Sequence, residues 1–193
     1  MKTRRFSKLI RLLPLFLLIA VVVLALWPAR PSGNVGEEET FQVVKSRILE
    51  LHRDCENNKI RKLVFTEEEI NTYLGELIMR HLDETDTRST IDLDEINVDV
   101  DSTSMKVFTA MNLGLAKVTY ILDGHPVVGQ GQFQFVVDRV VAGHLPLPGP
   151  AANLVTDGVM GVFSQLDVEL FILDHLSALD LSDGRIRITT GGP

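Results

Sequence analysis

Apolar residues run without a charge from Leu12 to Trp27, and no later stretch of the chain is as densely hydrophobic. With Leu9 and Ile10 the span approaches the roughly 20 residues that a tilted helix needs to cross a bilayer. Lys2, Arg4, Arg5, Lys8 and Arg11 flank its start, and no acidic residue occurs before Glu37. A basic flank stays on the cytoplasmic side, so residues 9–27 are expected to anchor the chain and to place the remainder outside the cytoplasm. A cleavable signal peptide is the alternative. Its cleavage site would carry small residues in an A-x-A spacing, whereas this chain reads Ala25-Leu26-Trp27-Pro28-Ala29. Trp27 suits an interfacial anchor, so the expectation is an uncleaved signal-anchor within residues 1–30.

Beyond the anchor the hydrophobic period changes. Pro28 to Glu39 has no period and is rich in Pro, Gly and charge, which makes residues 31–39 a linker. Phe41, Val44, Ile48 and Leu51 fall at helical spacing between Thr40 and Asp54. Ile60 to Phe65 predicts a short strand. Thr66-Glu67-Glu68-Glu69 is a capping-box sequence, and Ile70, Tyr73, Leu74, Leu77 and Ile78 stripe the helix it starts, which is expected to run to about Leu82. From Ile91 the period is two, with a slip between Leu93 and Ile96 that predicts a bulge near Asp94-Glu95. Met105–Leu115 has apolar residues on both faces. Lys117–Leu122 predicts a strand, Asp123-Gly124 a turn, and Val127–Val141 a long strand with Phe133, Phe135 and Val137 on one face. Gly143–Pro150 is an extended proline-rich crossing. Pro150 then opens a helix whose apolar side carries Ala152, Val155, Val159, Val162, Phe163 and Leu166. Residues 168–176 fit strand or helix equally. Ser182-Asp183-Gly184 between alternating runs predicts a terminal hairpin. The expected fold class is α+β: an N-terminal transmembrane helix, then a single domain over residues 40–193. That domain should be a long, curved antiparallel sheet with two or three helices packed on it.

Charge sharpens the picture. Six of the 19 Lys+Arg and none of the 26 Asp+Glu lie in residues 1–30, so the remainder carries 13 against 26, a formal charge of −13. That balance argues against nucleic acid as a partner and against an electrostatic grip on anionic lipid. The single cysteine, Cys55, excludes an internal disulfide, so the domain must rest on its hydrophobic core.

Three motifs resemble the YpmS-type family of small membrane-anchored extracytoplasmic bacterial proteins. They are the helix start FTEEEINTYL with Asn71 and Leu74, the strand GQGQFQFVVDRVVAGHLPLP, and the terminal pair ALDLSDGRIRI. The region before Lys117 departs from the family in lacking a proline. The resemblance implies an architecture similar to lipid-binding modules in which a curved sheet wraps a long helix, and it supplies no catalytic residues.

The residues themselves offer little chemistry. His52, His81, His125, His144 and His175 are dispersed without the spacing of metal ligands. Asp92, Asp94, Asp99 and Asp101 read as a solvated strand face. Gly129-Gln130-Gly131 lies in a strand context that argues against phosphate binding and for close packing. No catalytic residue, metal or cofactor is expected, and the chain is not expected to be an enzyme. The candidate site is an apolar groove formed by Phe133, Phe135 and Val137 facing a helix with Val155, Gly158, Val159 and Phe163, able to take a lipid or other apolar ligand. The alternative is an envelope scaffold that binds another protein through its acidic surface or a sheet edge.

Overall fold

Thr66 ends one element and starts the next. Its Oγ1 accepts from the Glu69 amide at 3.2 Å, and its own amide donates to Glu69 Oε2 at 2.8 Å, the reciprocal pair of a capping box. The computed structural model describes residues 18–29, 36–84, 92–113, 116–129, 132–164 and 166–191. In chain order it contains helix α1 (residues 18–26), α2 (Glu38–Glu56), strand β1 (Arg61–Thr66), α3 (Glu67–Glu84), β2 (Asp92–Val100), β3 (Met105–Leu113), β4 (Ala116–Gly129), β5 (Gln132–Ala142), β6 (Leu145–Pro146), α4 (Gly149–Phe163), α5 (Asp167–Asp174), β7 (Leu176–Ser182) and β8 (Arg185–Thr190). The fold is α+β, with five helices among the described residues. Its strands form two antiparallel sheets, in the orders β1-β8-β7 and β2-β3-β4-β5-β6, in place of the one long sheet expected.

One face of the five-stranded sheet builds the core. Ile96, Val98 and Val100 of β2 stand beside Thr109, Val107 and Met105 of β3, and Val107 stands beside Leu122 of β4. Helices α2, α3, α4 and α5 supply Phe41, Val44, Leu51, Tyr73, Val159 and Ile172 to the same cluster. The expected bulge is present: the register of β2 on β3 shifts between Leu93 and Glu95. A slip of one residue would turn the apolar set outward, so the bulge lets Ile96, Val98 and Val100 stay on the core side.

The Asp123-Gly124 turn is not formed. β4 runs straight through it to Gly129, and the chain reverses between Gly129 and its partner Gln132. The register moves from Asp123↔Arg139 to Gly124↔Val137, leaving Asp138 as the extra residue of a bulge in β5. Gly124 is buried there, and a Cβ on it would stand 2.3 Å from Val136 O. Close approach of two strands, not reversal, is what that glycine serves. Gly129 is the opposite case, with open space where its Cβ would be, so the packing role expected for it does not hold. Gln130 and Gly131 lie outside the described residues.

Two further expectations change. Gly143–Pro150 is not a simple crossing: Gly143 takes φ +57 and turns the chain, so that Leu145–Pro146 pairs back on Val141–Ala142. Residues 167–174 resolve as helix α5, with acidic Asp167 and Glu169 in its first turn, and β7 begins at Leu176. The terminal hairpin is as expected, with Ser182 paired to Arg185 and Gly184 at φ +67.

Among the described residues no helix is long and apolar enough to cross a membrane. The expected span begins at residue 9, and its residues 9–17 lie outside the described ones. Residues 18–26 are helical, and Leu18, Ile19, Val22, Val23, Leu24 and Leu26 are all exposed.

Candidate functional site

Alternation in β5 sends Phe133, Phe135 and Val137 to the core side and leaves Gln132, Gln134 and Val136 exposed. The Asp138 bulge then keeps buried Val140 and Ala142 on that same side. Helix α4 starts at Gly149-Pro150, with proline in the first turn where its missing amide costs nothing, and packs across β5. β5 and α4, the elements that carry the expected groove residues, therefore meet along a seam. Val159 is its closed point at 3% exposure, while Phe133, Phe135, Val137, Val155, Gly158 and Phe163 are only half-buried. Gly161 on the same helix is exposed, with nothing near the position of a Cβ. Among the described residues no three His, Cys, Asp or Glu side chains gather as a metal site.

A second concave region lies on the outer face of the five-stranded sheet. Phe108, Ala110, Thr119 and Asn97 point away from the core, yet all four are buried. The chain leaving α1 lies over them. A cleft of about 570 Å³ is lined by Leu26, Pro28 and Ala29 on one side and by Glu95, Asn97, Phe108, Ala110, Lys117 and Thr119 on the other. A more open hollow of about 670 Å³ shares Pro28, Ala29 and Phe108 and adds Trp27, Ile121 and His144. The attachment is a backbone contact: the His144 amide donates to Leu24 O at 2.9 Å, satisfying one of the carbonyls a helix C-terminus leaves free. Gly143 makes the approach possible, because a Cβ on it would lie 2.5 to 2.7 Å from the carbonyl oxygens of Leu24, Ala25 and Trp27.

The polar groups of this cleft are few. Asn97 is 3% exposed; its Nδ2 donates to Glu95 Oε1 at 2.8 Å, and among the described residues its Oδ1 has no hydrogen-bond partner. Lys117 Nζ stands 2.5 Å from Asp94 and 3.6 Å from Glu95, and those carboxylates hold its ammonium above the usual lysine range. Sequence reading placed Asp94 on a solvated face and passed over Asn97. The available signal was β3 itself, where Phe108 and Ala110 made the outer face apolar without showing what covered it.

Tyr73 donates to Glu169 in a short hydrogen bond that ties α3 to α5, and burial followed by this bond pushes its hydroxyl far above the ordinary tyrosine value. Burial likewise pushes the Cys55 thiol up. His125 Nδ1 lies 2.9 Å from Asp138 Oδ2, and both side chains are exposed. No protein-family model matches the chain, and no curated protein matches it.

Proposed function

We propose that this chain is a single-pass membrane protein whose extracytoplasmic domain binds a lipid or other apolar ligand without catalysis, in the groove between β5 and α4. The observation that carries this reading is the half-open seam: six of its seven expected residues are apolar or glycine yet keep partial exposure around the closed point at Val159. A groove of that composition suits an apolar body, with selectivity left to a few polar groups at its rim. The anchor reading draws support from residues 18–26, whose apolar side chains are exposed around the helix, the distribution of a segment solvated by lipid. The resemblance to YpmS-type proteins implies the same arrangement.

The test is binding of a fluorescent acyl probe to the full chain in detergent, with Gly158→Trp as the comparison. Filling the groove should abolish probe binding and leave the melting temperature within a few degrees. In a closed core the same change overpacks the interior, at a cost of roughly 1–3 kcal/mol. No probe binding by the unmodified chain overturns the lipid reading. The domain would then read as an envelope scaffold, engaging a protein through its acidic surface or a sheet edge.

A further inference from the structure

We infer that the cleft at the end of α1, distinct from the β5–α4 groove, binds a lipid headgroup bearing a protonated primary amine. The cleft has an apolar floor in Phe108 and Ala110 and an apolar wall in Leu26 and Pro28. Set into that surface is Asn97, more than nine-tenths buried, with an acceptor that no group among the described residues meets. Its amide cannot be turned to relieve this, because the Nδ2 bond to Glu95 fixes the orientation; the reverse would set two acceptors face to face. A buried acceptor without a donor is costly and is met by water or by a ligand. A ligand that fits must bring an N–H or O–H group.

Charge selects among donors. Among the described residues the lining carries one cation, Lys117, and one carboxylate, Glu95, and Lys117 is engaged both by Glu95 and by Asp94 beside it. With Asp94 counted, these described groups balance to one negative charge, which disfavours an anionic headgroup and favours a cation beside Glu95 and Asn97. A primary ammonium meets both requirements, offering three N–H donors and a positive charge. Position supplies the rest. Leu26 and Trp27 close the apolar segment and line this region, so a lipid beside the anchor would present its headgroup at the cleft. This last step rests on the anchor reading; the chemistry of the cleft does not.

Native mass spectrometry of the full chain in detergent tests the proposal with three lipids of matched acyl chains. Phosphatidylethanolamine offers charge and donors, phosphatidylcholine the charge without N–H donors, and phosphatidylglycerol donors with net negative charge. Phosphatidylethanolamine should bind roughly tenfold more tightly than either, the scale of one charge-assisted hydrogen bond. Asn97→Leu should remove that preference while leaving the melting temperature unchanged or higher, and Glu95→Gln should weaken it. Gly158→Trp should leave it intact, separating this cleft from the β5–α4 groove. Equal binding of all three lipids, a preference for phosphatidylglycerol, or an undiminished preference in Asn97→Leu would each overturn the proposal. Loss of the acyl-probe signal in Gly158→Trp with the amine preference retained would support both sites separately. Because the measurement is made in detergent, a cytoplasmic location found for the C-terminus would refute the anchor topology and leave the cleft standing.

Discussion

The side chain of Asn71 makes both hydrogen bonds that the backbone of Val98 can offer: Nδ2 donates to Val98 O at 3.0 Å, and Oδ1 accepts from Val98 N at 2.6 Å. One helical turn earlier, Glu67 Oε2 accepts from the Val100 amide at 3.0 Å, and the Gly184 amide donates to Val100 O at 2.8 Å. A turn of helix advances about 5.4 Å and two strand residues about 6.8 Å, so α3 can read the free edge of β2 in step. The edge strand is closed by side chains and by the turn of the β7–β8 hairpin, which also joins the two sheets. Leaving such an edge open would invite pairing with another chain.

Asn71→Ala should therefore destabilise the domain far more than a surface substitution. Asn71 is fully buried, and its loss strands an amide and a carbonyl at Val98. With roughly 1–3 kcal/mol for each unsatisfied group, partly relieved by water, the expected cost is about 2–4 kcal/mol. Denaturant unfolding measures it, and a cost under about 1 kcal/mol would show that the edge is not held by Asn71.

Thr66→Ala removes one half of the capping box and should cost about 1 kcal/mol. Leu74→Ala should cost about 2 kcal/mol, the low end for a leucine truncation, because Leu74 is half-buried. Thermal unfolding of the two variants should rank them in that order. The reverse order would mean that the α3 apolar stripe contributes less than its cap.

What could be read from the chain depended on whether the deciding contact was near in sequence. Thr66 and Glu69 are three residues apart, and Ser182-Asp183-Gly184 sits between two alternating runs, so cap and hairpin were both legible. Asp123-Gly124 is the same dipeptide with the opposite outcome. Its backbone meets β5, and whether the chain turns there depends on an extra residue, Asp138, which no local pattern announces. The seam of β5 and α4 followed from periodicity in each element. The cleft did not, because Asn97, Phe108 and Lys117 come from three strands and meet the chain leaving α1 only in the folded molecule.

Acid should loosen the contact between α2 and β1. Arg61 donates to Asp54 Oδ2 at 2.6 Å and to Glu50 Oε2 at 2.9 Å, and its guanidinium holds the Asp54 carboxyl below the ordinary value of 3.8. A carboxyl with a depressed folded pKa stabilises the fold above its ordinary value, and that contribution is lost as pH falls through the folded one. Carboxyl NMR of Arg61→Gln should show Asp54 titrating closer to 3.8, with acid unfolding starting at higher pH. An unchanged Asp54 titration would assign the shift to something other than Arg61.

Cys55 should be inert in the folded protein. It is 3% exposed, and burial raises its thiol above the ordinary value of 9.0. A raised folded pKa contributes stability below that value, lost as pH rises through the folded one. A disulfide reagent at pH 8 should react only at the rate of unfolding, the logarithm of that rate rising linearly with denaturant. Rapid stoichiometric labelling under native conditions would place Cys55 at the surface.

The attachment of α1 to the domain predicts different behaviour for two adjacent amides. The Gly143 amide donates to Thr119 O at 2.7 Å, within the sheet, whereas the His144 amide donates to Leu24 O at 2.9 Å, across to the helix. Gly143→Ala puts a methyl group among three carbonyl oxygens of residues 24–27 and forces an L side chain to φ +57, a conformation that costs about 1 kcal/mol relative to glycine. The methyl group should push the end of α1 off the sheet before it disturbs the pairing of β4 with β5. In hydrogen exchange of the full chain, the His144 amide should then lose its protection while the amide of residue 143 keeps it. If both amides stay protected, α1 tolerates the methyl group and its seat on Gly143 is looser than the geometry implies. If both exchange freely, the substitution has opened the β5–β6 corner itself, and the two contacts form one cooperative unit.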